Sequence, residues 1–377
     1  AIFDMAVAGT SHIVTAGEDH RLVMTNWQTR EVCDTWVGHT KVVNRVVCGR
    51  QENDDGSFGR FVYSASRDAT VCQWARGQAS PVARFEGHDM TVNAVDTNDQ
   101  ETVLCSGSRD NTVRAWDINT SQEVAKNLTP RNLVTCLKFV HGEPNCVAQG
   151  SEDLTLRVWD LRIEDGAGST ITPNVVAGRN AYQYFPLCLD VSADGRYILT
   201  GSKGFNGVGC EGRLWDRRMG KMLTEFVGHT QDTVGCAFMP RGGFVGGGDV
   251  GGGVGSRDVW VHPQSEPGAD VGGGGATFRE RVVTVSKDQT LKIWDAATGE
   301  VLESRSSDAG PFTSIATTPR IPGLSSRSLP AETPRGATPH AAFCTTTFWG
   351  GVAVYDDYGC LMIEREASAP DMGESGL

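Results

Sequence analysis

The chain has 377 residues, 39% apolar and 21% charged, which is enough apolar material for a large core and excludes a disordered chain. Its 34 Lys and Arg against 46 Asp and Glu give a net charge of −12 that opposes contact with nucleic-acid phosphates and anionic lipid. Eleven cysteines without a C-x-x-C pair exclude the usual zinc spacings, and no cofactor or metal is expected.

Most of these cysteines lie in apolar runs such as Val103-Leu104-Cys105 and Leu187-Cys188-Leu189, where a free thiol acts as a small hydrophobe in a reducing compartment. A cytoplasmic protein is the expectation. No run of about 18 apolar residues is present, and Ala1 to Gly9 lack the basic flank and apolar stretch of a signal peptide, so no membrane insertion is expected.

From the N-terminus onward, a Gly-His pair, a small-residue run ending in Asp, and an aromatic-Asp phrase recur in fixed order. The first copy keeps only Asp19 and Trp27. The second carries Gly38-His39, Ser64 to Asp68 and Trp74, and the third Gly87-His88, Cys105 to Asp110 and Trp116-Asp117. In the fourth, Thr129-Pro130 stands where Gly-His is expected, ahead of Gly150-Ser151-Glu152-Asp153 and Trp159-Asp160. The fifth ends in Trp215-Asp216 and has lost its turn Asp. The sixth has Gly228-His229, Ser286-Lys287-Asp288 and Trp294-Asp295, and the last retains Tyr355-Asp356.

Counting Trp27, Trp74, Trp116, Trp159, Trp215, Trp294 and Tyr355 gives seven units, spaced near the roughly 40–45 residues of a four-stranded blade except at insertions. Short β-branched runs such as Arg281-Val282-Val283-Thr284-Val285 read as strands bounded by turns. The predicted fold is therefore all-β, a seven-bladed β-propeller of four-stranded antiparallel blades over residues 1–366. Blade limits fall near 1–37, 38–84, 85–127, 128–177, 178–226, 227–304 and 305–366. Both terminal blades hold their own strands, so sharing of one blade between the chain ends is not evident, and the way the ring closes stays open.

Two stretches interrupt this pattern. The Gly-rich segment 241–280, with Trp260 as a possible anchor, and the Pro-rich segment 319–340 read as flexible insertions, and 367–377 as a loose tail. Asp54-Asp55-Gly56-Ser57 reads as a hairpin tip. In the fifth unit, Gly201 to Asp216 is dense in glycine, which lengthens a hairpin and exposes Phe205 to a partner.

His, Ser and Asp in each complete copy match the residue types of a catalytic triad. The same set recurs three times in one register with a Trp attached, whereas a nucleophilic site needs a single activated Ser beside a single oxyanion hole. A non-catalytic chain is the expectation.

These phrases resemble the WD-repeat family over essentially the whole chain. The resemblance implies a hydrogen-bonded chain in each complete blade, from turn Asp to His, His to Ser or Thr, and Ser to the Trp indole. Its members here are His39, Asp68 and Trp74; His88, Ser106 or Ser108, Asp110 and Trp116; and His229, Asp288 and Trp294. Asp19 and Asp153 lack a preceding His and need other partners. The resemblance also places the residue before the turn Asp on the upper rim, which nominates Arg67, Arg109, Glu152 and Lys287 as partner contacts. It implies a protein-interaction scaffold within a larger assembly.

The phrases Ser108-Arg109-Asp110-Asn111-Thr112, Arg131-Asn132-Leu133-Val134-Thr135, Ser151 to Arg157 and Gly201 to Asp216 are similar to a small ciliary WD-repeat family, called WD repeat-containing protein thirty-one in animals. That similarity implies a place in the cilium or flagellum, with intraflagellar transport, BBSome or axonemal components as partners. The alternative is a substrate receptor of a cullin ubiquitin ligase, because Trp159-Asp160-Leu161-Arg162 and Trp215-Asp216-Arg217-Arg218 fit its W-D-x-R box and nominate Arg162 and Arg218.

Overall fold

The computed structural model describes residues 1–9, 11–49, 60–128, 132–162, 174–177, 182–239, 281–317, 341–356 and 361–365. The insertions at 241–280 and 319–340, the tail 367–377 and Asp54 to Ser57 lie outside the described residues. Seven four-stranded antiparallel sheets follow one another along the chain, over 2–37, 43–86, 92–128, 134–177, 186–226, 233–306 and 312–365. No helix occurs among the described residues.

Strand order within every sheet follows chain order, and the first strands of neighbouring sheets pack against one another in a closed cycle that returns from the seventh to the first. The molecule is thus a seven-bladed propeller whose first and last blades each supply all four of their own strands. Ring closure rests on packing and side-chain bonds. Asp4, on the first strand of blade one, accepts hydrogen bonds from Val46 N of blade two at 2.9 Å and from Ser314 Oγ of blade seven at 2.6 Å. It sits beside Arg45 at 3.4 Å. Asp96 and Asp190 repeat half of this clamp, taking the backbone N–H of Phe139 and Phe238 of the next blade, each at 2.8 Å. A buried carboxylate held by backbone donors is tolerated because its charge is hydrogen-bonded.

Each apolar cluster spans two blades, so burial and assembly are one process. Phe85 of blade two meets Trp116 of blade three at 5.9 Å, and Phe226 of blade five meets Trp294 of blade six at 5.6 Å. First strands are buried while fourth strands such as Val301–Ser306 are largely exposed. The described cysteines are free, and all but Cys33 are buried, where desolvation pushes the Cys136 and Cys344 thiols up to about 12.

The register corrects one feature of the sequence reading. Trp74, Trp116, Trp159, Trp215 and Trp294 sit on third strands opposite the second residue of the neighbouring second strand, and in blade one that place belongs to Thr25, paired with Ile13. Trp27 lies beyond the strand end, in the following turn. Blade one therefore has no repeat tryptophan: Trp27 stands eight residues after Asp19, against the six that separate Asp110 from Trp116, and falls two residues past the position.

Candidate functional site

The polar chains of the three complete blades have nearly the same geometry. In blade three the Trp116 indole donates to Ser106 Oγ at 2.8 Å, Ser106 donates to His88 Nε2 at 2.7 Å, and His88 Nδ1 donates to Asp110 Oδ2 at 2.8 Å. Blade two repeats this through Trp74, Ser64, His39 and Asp68 at 2.7, 2.7 and 2.8 Å. Blade six does so through Trp294, Thr284, His229 and Asp288 at 2.8, 2.8 and 3.1 Å. Ser106 is the linking serine of blade three, while Ser108 donates to the carbonyls of Met90 and Thr91. Burial alone would raise the pKa of Asp68, Asp110 and Asp288. Hydrogen bonds from the His and the following Thr instead hold all three well below the usual carboxylate range. Ser64 and Ser106 are fully buried with both hydroxyl partners occupied, so neither presents an oxygen to a substrate.

Blades four and five, which lack the His, use substitutes of other residue types that the repeated phrases do not mark. In blade four, Arg157 grips Asp153 through Nη2 at 2.5 Å and Nη1 at 3.2 Å, and the Trp159 indole donates to Gln149 Oε1 at 2.8 Å. In blade five, Tyr182 stands in for His: its hydroxyl bonds Thr200 Oγ1 at 3.0 Å, Trp215 donates to the same oxygen at 3.1 Å, and the two rings lie 5.4 Å apart. The signal was spacing. His39, His88 and His229 each precede their first strand by four residues, as Tyr182 precedes Pro186.

These chains position the upper face, which carries the turns between second and third strands. Arg67, Arg109 and Lys287 are exposed there, and Glu152 is half-buried. Arg67 lies over the Phe3 ring at 5.6 Å and donates to Asn44 Oδ1 at 3.3 Å, while Lys287 pairs with Asp232 at 2.8 Å. The equivalent residue in blade five is the exposed Lys203, its ammonium 5.1 Å from the Phe185 ring, and in blade seven it is Phe348. The loss of the turn Asp from both blades concealed this equivalence.

Two aromatic features stand out on this face: Trp349, 67% exposed beside Phe348 in the blade-seven turn, and Phe205 in the blade-five turn. Phe205 is 68% exposed at the tip of a two-residue hairpin in which Asn206 and Gly207 have φ of 52° and 76°. Phe205 and Val208 exchange backbone bonds at 3.0 and 3.1 Å. Gly207 N donates to Thr230 O at 3.0 Å, and Gly204 N to Asp232 Oδ1 at 3.0 Å. At Gly209, φ is +80° and a Cβ would lie 2.1 Å from the Tyr184 ring, so glycine is required. Exposed Tyr184, Val208 and Val227 accompany the tip.

Arg162 and Arg218 lie on the opposite face, which carries the turns between third and fourth strands. Arg162 closes on Asp160 of its own turn, Nε to Oδ1 at 2.9 Å and Nη2 to Oδ2 at 2.7 Å, while the Arg218 side chain is exposed and its N–H donates to Asp216 at 2.9 Å. The first strands enclose a central cavity of about 430 Å³ in which Lys138 Nζ donates to Asp190 at 2.5 Å. Among the described residues, no group of three His, Cys, Asp or Glu has the arrangement to hold a metal ion.

Residues 79–117 and 125–160 match the family model described as WD domain, G-beta repeat. A WD repeat-containing protein of Schizosaccharomyces pombe is 28% identical over 136 residues, 36% of this chain and 25% of that protein. Eukaryotic translation initiation factor 3 subunit I of Neurospora crassa is 28% identical over 85 residues, 22% of each chain, and that of Aspergillus niger is 28% identical over 85 residues, 22% of this chain and 23% of its own. The chain thus spans about a quarter of the length of the curated relatives it matches. Together with the seven-bladed ring, the family-model matches and these relatives support the WD40 repeat family for this chain.

Proposed function

We propose that the protein is a non-catalytic platform that holds protein partners on its upper face, with Phe205 as the central anchor and Arg67, Arg109, Lys203 and Lys287 around it. The observation that carries this reading is the pinned Phe205 tip. An exposed aromatic ring on a loop hydrogen-bonded to the neighbouring blade pays little ordering entropy on binding, and truncation of such an anchor typically costs about 2 kcal/mol or more. The initiation-factor subunits among the relatives are components of an assembly by name, which agrees with a role as one subunit among several. We place the protein in the cilium or flagellum, in transport or axonemal assemblies, on the similarity of the Ser108 to Thr112 and Gly201 to Asp216 phrases.

Affinity capture with the full chain as bait tests the face, and imaging of the tagged chain in ciliated cells tests the location. Phe205→Glu is expected to deplete the specifically captured proteins, while Arg162→Ala on the opposite face leaves them unchanged. Equal capture by Phe205→Glu and the parent refutes the upper-face assignment.

A further inference from the structure

In blades two, three and six, a His and a Trp fill the seam against the preceding blade. Blade one has neither, because Thr25 takes the tryptophan position and Thr15 the serine position, so the seam between blades seven and one is underfilled. A cavity of about 420 Å³ occupies that place, within the size range of small-molecule sites. Its walls are apolar: Ile13 and Val23 of blade one face Val352 and Val354 of blade seven.

Its ends are polar, and they differ. At one end Arg21 is accompanied by Asp19, whose carboxylate accepts the Arg21 backbone N–H at 3.3 Å, so the local charge is mixed. At the other end Arg30 lines the cavity with no ion pair or side-chain hydrogen bond among the described residues. Beside it in the same turn, Trp27 is 5% exposed, and its indole N–H has no acceptor among the described residues. A free guanidinium and an unsatisfied buried donor at one end of an apolar slot call for an anion with two acceptor oxygens attached to an apolar body. The third strand from Arg21 to the turn at Trp27 spans about 20 Å at the strand rise, which suits an extended chain rather than a compact ring.

We propose that this seam is a binding site for a long-chain acyl carboxylate, with the carboxylate at Arg30 and the chain lying between the third strands of blades seven and one. The site is independent of the partner face and of the role proposed for it.

Fluorescence titration of the full chain with cis-parinarate, followed by displacement with palmitate or hexadecanol, tests it. Saturable one-to-one binding is expected, with palmitate displacing more strongly than the alcohol. Arg30→Ala is expected to weaken palmitate about tenfold, the loss of one charge-assisted contact, and to leave hexadecanol unchanged. Thr25→Trp, which installs the side chain used in blades two to six, is expected to abolish binding without lowering the melting temperature. Absence of saturable binding by the parent overturns the proposal, as does undiminished binding by Thr25→Trp or a marked fall in its melting temperature. Equal displacement by palmitate and hexadecanol overturns the assignment of the anionic end.

Discussion

Replacement of Asp110 by Ala removes one carboxylate that satisfies four donors: His88 Nδ1 at 2.8 Å, Asp89 N at 3.1 Å, Thr112 N at 2.9 Å and Thr112 Oγ1 at 2.6 Å. The Asp89 N–H is exposed and recovers water, so the cost falls on the buried His and the Thr112 groups. Breaking a buried charge-assisted set of this kind costs about 3–5 kcal/mol. At about 2.1 cal/mol/K per residue, the unfolding entropy of a chain of 377 residues is about 0.8 kcal/mol/K, which converts that cost to a fall of about 4–6 °C if the ring melts as one unit. Calorimetry or dichroism of parent, Asp110→Ala, His88→Ala and the double variant measures it. Because both residues belong to one chain of bonds, the double variant is expected to lose less than the sum of the singles. A single variant melting within about 1 °C of the parent, or strict additivity, refutes the idea that this chain fastens the blade.

Acid stability follows from the same groups. Folded Asp68, Asp110 and Asp288 titrate below their unfolded values, so their contribution is complete above about pH 4 and is lost as the pH falls further, and Asp110→Asn is expected to flatten the melting-temperature profile in that range. Gln289 follows the turn Asp with φ of 65°, a conformation that costs a side-chain residue about 1 kcal/mol relative to glycine, and Gln289→Gly is expected to raise stability by about that amount in urea titrations. Tyr182→Phe removes the hydroxyl bond to Thr200 and is expected to cost about 1 kcal/mol by the same titration. Asp4→Ala releases Val46, Ser314 and Arg45 together, and is expected to increase hydrogen exchange at the first strands of blades one, two and seven before other blades.

The ring was legible in the sequence because punctuation repeats: Gly-His, the turn Asp and the Trp hold fixed positions relative to strands, and their bonds are local to one blade. The strand runs near Ile2 and Leu361 were legible too, as sets belonging to the first and last blades, whereas the way the ring closes was not. Where a blade meets the same need with different chemistry, residue types failed as a guide. Tyr182 occupies the place of His by position, whereas Arg157 reaches Asp153 from the third strand of blade four, and neither shares a letter with His. Trp27 satisfied a letter pattern two residues past the place where an indole meets its acceptor. Contacts between blades, such as Asp4 with Ser314, join residues far apart in the chain and leave no mark in a one-dimensional pattern.

The claim beneath the account is that a buried indole hydrogen bond fastens the blades that carry the repeat tryptophan. Exchange of the tryptophan indole protons, followed by NMR on selectively labelled protein, reads it directly. Trp74, Trp116, Trp159, Trp215 and Trp294 are expected to exchange as slowly as the innermost backbone amides, and in Asp110→Ala the Trp116 proton is expected to speed up first. Rapid exchange at those five indoles in the parent protein contradicts the account.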